Sequence, residues 1–436
     1  MKILNRYITK EFINSFIISI LVIYAILLIQ LMIKLLDKFL GKGFSFSFLV
    51  ELLFYNTAWI LAMAVPMAVL VASILTYGKL AANNEIVGFN SSGIRTRDLL
   101  KPSAIISLFI TLLMVYFSCN ILPEMNHVSR KLNHQLIRTR PDVEFEEDIY
   151  SKLIPNHIIK FKRRNKLNKS KFHDIIIHQT SNNKLKKTIV ADSVIMISNN
   201  EDVLLDLYDG TIHERITVNE EYREIDFKNY KLSIPLNKFS NQKMKYIRGD
   251  RELTYKMLVY ANDSLRKKVV RLKKKINKRL NLFSMDTLNI NYSNLMSSLD
   301  KHNTDKLSKI DRIEEQKIFN IKSKANKTII SGYLKNINRS LTKINKNKVE
   351  IHKKFAIPIA TIIFLLIGAP LGIILRKGNL SISMAISLMF FILYYILIVG
   401  GEQLADKNLF NPILSMWLPN LIILIFGLSV IKVIKK

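Results

Sequence analysis

A lone cysteine, Cys119, among 436 residues has no partner for an internal disulfide. Its place near the outer end of an apolar run suits a small apolar filler. Acidic residues are scarce: 34 Asp and Glu face 65 Lys and Arg, a net charge of +31 that in a soluble chain would point to nucleic acid. Here much of the basic excess lies beside apolar runs or in the middle of the chain, so anionic lipid is the better-matched partner. Motifs for chemistry are missing too: there is no G-x-x-x-x-G-K-[ST] phosphate loop, no H-E-x-x-H and no cysteine–histidine metal spacing. His127, His134, His173, His178 and His213 are scattered, and alternation on strands accounts for them as well as a site would. No catalytic residue, metal or cofactor is expected, and the chain reads as non-enzymatic.

Central charge is also lacking from six apolar runs, at 13–33, 52–77, 102–122, 355–375, 380–401 and 413–431. A bilayer core takes about 20 apolar helical residues to cross, so each run is a candidate span and the six fall three and three around a polar middle. Pro66 marks an expected kink in the second. Lys2, Arg6 and Lys10 precede the first run, but it is too long for a signal-peptide core, no small-residue cleavage site follows it, and further spans come after. Lysines and arginines are retained on the cytoplasmic side. With both termini inside, the short inner segments hold roughly 12 and the short outer loops roughly 4. Three of the outer exceptions, Lys34, Lys38 and Lys42, recur every four residues beyond the first run. A continuing helix would present them on one face for lipid phosphates, although edge lysines commonly snorkel and Gly41 and Gly43 are expected to end the helix.

The polar middle has two textures. Between 123 and 251 the pattern turns to short alternating segments, "HIIKFK", "FHDIIIHQ", "TIVADSVIMIS", "DVLLDLYDGTIHE" and "YREIDFKNYKLSI", which suit half-buried strands of an antiparallel sandwich or jelly-roll. Asp209-Gly210 is read as a turn signal. From 252 to 350 the chain is lysine-rich, nearly free of glycine and proline, without a fixed repeat, and carries a net charge of roughly +15. This predicts a solvated helical insertion outside the cytoplasm, with contact to anionic headgroups as the functional alternative. The domain expectation is therefore a membrane half at 1–122, a strand domain at 123–251, the insertion at 252–350 and a second membrane half at 351–436.

The segment "YGKLAANNEIVGFNSSGIRTRDLLKP" between the second and third runs is amphipathic, then broken by Ser91-Ser92-Gly93. Asn83 or Asn84 can cap a helix that carries Glu85 in its first turn, with Ile86, Val87 and Phe89 as an apolar surface. A helix over about 79–97 lying under the membrane fits a groove on a soluble partner. At Asn84-Glu85, Ser92-Gly93, Arg95 and Pro102 this loop resembles the coupling-helix pattern of the LptF/LptG permeases of the lipopolysaccharide-export ABC transporter. Upstream, "VPMAVLVASILTYGKL" is similar to the family's second span, with Pro66 and Gly78 in place. "EIHKKFAIPIATIIFLLIGAPLGIILRKG" matches at Lys354, Pro358, Gly368, Pro370 and Gly372, and "LFNPILSMWLPN" at Trp417, Pro419 and Asn420.

The resemblance implies six transmembrane helices with a periplasmic β-jellyroll, in a bacterial inner-membrane protein. It implies a paralogous permease partner, a cytoplasmic ABC ATPase dimer resembling LptB, bridge proteins resembling LptC and LptA, and lipopolysaccharide as cargo. The 252–350 insertion departs from the simplest members of the family. Within the loop, Glu85 is the residue expected to pair with an arginine of the ATPase, against a plainer role as an acid at a helix N-terminus. Gly368, Pro370 and Gly372 are expected to serve close helix packing. A membrane-anchored scaffold or sensor is the competing reading, opposed by six spans where one or two would suffice.

Overall fold

The computed structural model describes residues 2–39, 46–139, 147–151, 156–165, 171–181, 184–198, 202–216, 221–235, 248–281, 295–307, 313–376 and 378–434. Lys42 lies outside them, and of Lys38 only the backbone is described. The chain forms two compact units, one of residues 1–23, 62–123 and 250–436, the other of 24–61 and 124–249.

Long apolar helices dominate the first half: α1 (Lys2–Phe39), α2 (Phe46–Ala82), the short α3 (Glu85–Ser91) and α4 (Thr96–Tyr116). A π-helical turn, Phe117–Ile121, carries α4 into α5 (Leu122–Thr139). In hydrocarbon every backbone N–H and C=O must be satisfied within the segment, which makes a helix the only form open to a single apolar run. Pro66 sits inside α2, whose helix continues through it. Among the described residues, five helices are long and apolar enough to cross a membrane: α1, α2, the α4–α5 continuation, α8 (Ile313–Leu375) and α9 (Leu380–Asp406). The sixth apolar run lies in α10 (Pro412–Ile434). α2 is mostly covered by its neighbours, whereas α1, α4 and α9 show bare apolar faces such as Leu21, Ile105, Phe109, Met389 and Ile396. In water such surface would be costly; against lipid tails or another apolar helix it is not.

Within the second unit, five strands, β1 (His157–Arg164), β2 (Lys171–Ser181), β3 (Lys184–Ser198), β4 (Asp202–Ile216) and β5 (Glu221–Pro235), fall on the five alternating segments. They form one antiparallel sheet in sequence order, an up-and-down meander. Its buried residues change parity partway along β2, β3 and β4. In β2 the buried set passes from Phe172 to Ile175 and Ile177, in β3 from Ile189 and Ala191 to Val194 and Met196, in β4 from Val203, Leu205 and Leu207 to Ile212. The breaks fall at Asp174, Asp192 and Asp209, which occupy equivalent positions on neighbouring strands. Asp174 and Asp209 take left-handed backbone angles there, φ 55° and 50°. Asp209-Gly210 is therefore no hairpin turn. It is one point on a crease running across the sheet, and aspartate tolerates the left-handed region that the crease imposes. In the same unit Arg248, just past the sheet, makes a bidentate pair with Glu124 at 2.6 and 2.9 Å.

The lysine-rich region is helical: α6 (Tyr255–Asn281), α7 (Leu295–Leu307) and the first part of α8. Val269, Ile276 and Leu280 of α6, Leu295 and Leu299 of α7, and Ile330 and Ile337 of α8 form its core. The expected boundary at 350/351 falls inside α8, an unbroken helix of 63 residues. At 1.5 Å per residue this is about 95 Å, three times the roughly 30 Å hydrocarbon thickness, so the insertion is in part an extension of the fourth apolar run.

Candidate functional site

The loop between α2 and α4 holds the strongest cluster of candidate residues. α2 continues to Ala82, so the helix expected over 79–97 is the seven-residue α3, set between two turns. Asn84 occupies the N-cap position at φ 57°, but its side chain makes no capping bond. Asn83 does not cap the helix either; its Nδ2 donates to Glu85 Oε1 at 3.1 Å. Tyr7 on α1 donates its hydroxyl to the same oxygen at 3.3 Å. Both bonds fall on one carboxylate oxygen, and among the described residues no cation pairs with Glu85.

The other end of α3 explains Ser92-Gly93. Ile94 N–H donates to Phe89 C=O and Gly93 N–H to Asn90 C=O, each at 3.0 Å. This is the Schellman arrangement, which needs a left-handed residue after the cap, and Gly93 supplies it at φ 82°. The apolar contact that accompanies this motif is present, because Phe89 and Ile94 pack against one cluster. Ser91 and Ser92 hydroxyls both donate to Gly88 C=O at 2.9 Å. Arg95, extended at φ −74° and ψ 139°, leads into α4, where Pro102 is buried inside the helix.

Ile86 and Phe89 turn inward onto Ile8 of α1, Tyr77, Leu80 and Ala81 of α2, Leu99 of α4 and Ala369 of α8. Val87 faces out, 58 % exposed. Polar contacts tie the same elements together. Tyr77, fully buried, donates its hydroxyl at 3.0 Å to Leu99 C=O and lies 2.8 Å from Ser103 Oγ. Lys79 pairs with Glu11 at 2.9 Å. Of these partners, Tyr7 and Glu11 lie on α1, outside the loop's own sequence.

The glycines of α8 meet α2 below this loop. A Cβ on Gly368 would lie 2.7 Å from Ser73 Cβ, and one on Gly372 would lie 2.6 Å from Ile74 O and 2.9 Å from Gly78 N. Two backbones approach here to a distance that excludes a methyl group, as expected of small residues at a membrane helix crossing. Pro358 and Pro370 are buried inside α8. Where the apolar run of the same helix opens, Lys354 donates to Ser118 C=O at 3.1 Å in the π-helical turn. Asn420 donates to Ala356 C=O at 2.9 Å, and Trp417 Nε1 lies 3.3 Å from His352 Nδ1. Pro419, one residue before Asn420, is buried inside α10. The motif residues of the C-terminal half thus join α8, α10 and the turn after α4.

A second polar cluster joins Glu350 and Lys353 of the α8 motif to Arg251 and Glu402, which lie outside the motifs. Glu402 of α9 receives Lys353 at 2.6 Å and Arg251 at 3.0 Å, while Glu350 stands 3.8 Å from Lys353 and 3.6 Å from Arg251. Partial burial alone would lower the Arg251 pKa, but the hydrogen bond and charge of Glu402, with Glu350 behind it, raise it above the ordinary arginine value. The cluster borders a pocket of about 330 Å³ walled by Phe391, Tyr394, Tyr395 and Ile398.

Lys34 is exposed on α1, which runs on to Phe39, so Lys34 and Lys38 share one helix. Cys119 is buried in the π-helical turn. Among the described residues, no group of three His, Cys, Asp or Glu is arranged to hold a metal.

Against known proteins, the family described as Lipopolysaccharide export system permease LptF/LptG matches residues 6–433, nearly the whole chain. No curated protein matches it.

Proposed function

Because the chain belongs to the LptF/LptG family of lipopolysaccharide export permeases, we propose that it is one half of the permease of an ABC transporter. This machine extracts lipopolysaccharide from the inner membrane and passes it to a periplasmic bridge toward the outer membrane. In this reading six helices span the bilayer with both termini in the cytoplasm. The five-stranded sheet serves as the periplasmic jelly-roll. Two copies of an LptB-like ATPase bind below, a paralogous permease stands alongside, and LptC- and LptA-like proteins receive the lipid. Lys34, Lys38 and Lys42 meet its phosphates at the outer edge of the membrane.

One observation carries the proposal: α3 is a short exposed helix whose inner face is locked to α1, α2, α4 and α8 at once. A push on α3 is therefore delivered to both membrane halves. Asn84, Glu85, Val87 and Arg95 are its outward groups. The Glu85 carboxylate, held by Tyr7 and Asn83 but paired with no described cation, presents a negative charge to an arginine on the partner. A hydrogen bond to a charged group contributes about 1.5–3 kcal/mol, so its loss should weaken ATPase attachment roughly 10- to 100-fold.

The test is co-purification. Tagged wild-type chain should bring down an ABC-type ATPase, and Glu85→Ala should lose it or lose lipid-stimulated ATP hydrolysis while retaining the second permease. Full assembly and normal export in the Glu85→Ala strain would remove the coupling role. A chain that brings down no ATPase at all would favour the anchored scaffold.

A further inference from the structure

The insertion holds a groove of about 1160 Å³ between α6, α7 and the extramembrane part of α8. Its wall is basic. Lys335, Arg339 and Lys343 follow one another at four-residue intervals along α8, Lys273 comes from α6, and Asp250 is the single acid at the rim. Four residues of helix advance about 6 Å, so the three α8 cations form a ladder on one face. All three are exposed, and none has an ion-pair partner among the described residues. Lys346, the next cation along, is occupied by Asp406 at 3.7 Å. Beneath the ladder Leu334, Ile337 and Met296 make an apolar floor.

Distance decides what the ladder can meet. The apolar run of α8 opens at Phe355, 12 residues after Lys343 and 20 after Lys335, which places the ladder about 18–30 Å along the helix axis from that point. The headgroup layer is only about 5–8 Å deep, and charge is screened within about 10 Å at ordinary ionic strength. Phosphates of a flat bilayer are thus out of reach. The occupant is an anion that stands well clear of the membrane and carries several charges spaced along its length, with apolar faces to set on the floor.

We propose that this groove binds the phosphate-bearing saccharide portion of the transported glycolipid, the part that projects outward from the acyl chains. Successive phosphates take the Lys335, Arg339 and Lys343 positions, with Lys273 opposite, and the C–H faces of the sugar rings lie on Leu334 and Ile337. This rests on the lipopolysaccharide reading above and adds to it a cargo contact made by the insertion.

The full-length chain, in nanodiscs of zwitterionic lipid, is titrated with lipopolysaccharide freed of its acyl chains, a water-soluble phosphorylated oligosaccharide. Binding should weaken at least about tenfold in the triple variant Lys335→Gln, Arg339→Gln, Lys343→Gln, and by a similar factor when the phosphates are removed from the saccharide. Glutamine keeps helix propensity, so circular dichroism of the variant should match wild type. Should the triple variant not fold, Arg339→Gln alone must show a weaker loss in the same direction. Equal binding by the variant overturns the proposal. So does indifference to the phosphates, or equally effective displacement by inorganic phosphate or a polyglutamate peptide. Intact lipopolysaccharide separates the two levels of failure. A chain that binds neither form defeats the transport reading, whereas undiminished binding of the intact form with none of the de-acylated form defeats only the groove.

Discussion

Replacing Gly372 by alanine tests the crossing of α8 over α2. The added Cβ would stand 2.6 Å from Ile74 O and 2.9 Å from Gly78 N, both main-chain atoms that no rotamer change can move. Ordinary contact begins near 3.5 Å, so the helices must part by roughly 0.6–0.9 Å. Overpacking of this kind costs about 1–3 kcal/mol. Alanine also gains up to about 1 kcal/mol over glycine in helix propensity, which would blur a single measurement. Gly400 on α9 supplies the control, because a Cβ there meets nothing within 4 Å. Propensity is common to both substitutions, so the difference in stability between Gly372→Ala and Gly400→Ala isolates the crossing at about 1–3 kcal/mol. Unfolding of the purified proteins in one detergent, followed by denaturant titration, provides the number. Gly372→Ala should fall below wild type, and Gly400→Ala should equal or exceed it. If the two variants unfold together, the backbones are not in contact and the argument linking the loop to the C-terminal half through this crossing fails.

Three further outcomes are expected. Tyr77→Phe leaves Leu99 C=O without its buried donor and the Ser103 hydroxyl without its buried partner, and should cost about 1–3 kcal/mol in the same unfolding assay, with Ser103→Ala restoring part of it. Glu402→Ala strips Lys353 and Arg251 of their closest carboxylate, and should cost about 3 kcal/mol. Adding Lys353→Met should recover part of this loss, and strict additivity of the two changes would count against a coupled network. Gly93→Val forces a β-branched residue to φ 82° and should melt the end of α3 at a cost of about 1–2 kcal/mol, seen as faster amide exchange at Gly93 and Ile94 while the sheet is unchanged.

The strands were legible in the sequence because period-two alternation survives in each half strand. The crease was not. Asp209-Gly210 looks like a hairpin turn when strands are read singly, and only the side-by-side placement of Asp174, Asp192 and Asp209 shows that β2, β3 and β4 break step at one line. The apolar runs were equally plain, but α8 was divided at 350/351 because composition shifts there from lysine-rich to apolar. Helical hydrogen bonding is indifferent to that shift. In the loop, the inward role of Ile86 and Phe89 followed from amphipathic spacing. Their partners Ile8 and Ala369 did not, nor did the Tyr7 bond to Glu85, since these residues come from segments tens to hundreds of residues away and each looks like ordinary span sequence. The Arg251–Glu350–Lys353–Glu402 cluster joins three separate segments, and no local pattern announces it.

A helix that runs without interruption from the lysine-rich region to Leu375 cannot change length freely. Removing one residue near Gly332 would turn everything on one side of the cut by about 100° relative to the other. The Ile330–Ile337 stripe that seats α6, or the Gly368–Gly372 face that seats α2, would then point at the wrong neighbour. Only changes close to whole numbers of turns, such as 7 or 11 residues, keep both faces in phase to within about 20°. Evolutionary trimming of this insertion is thereby quantised, and variants of the chain should differ here in steps of helical turns.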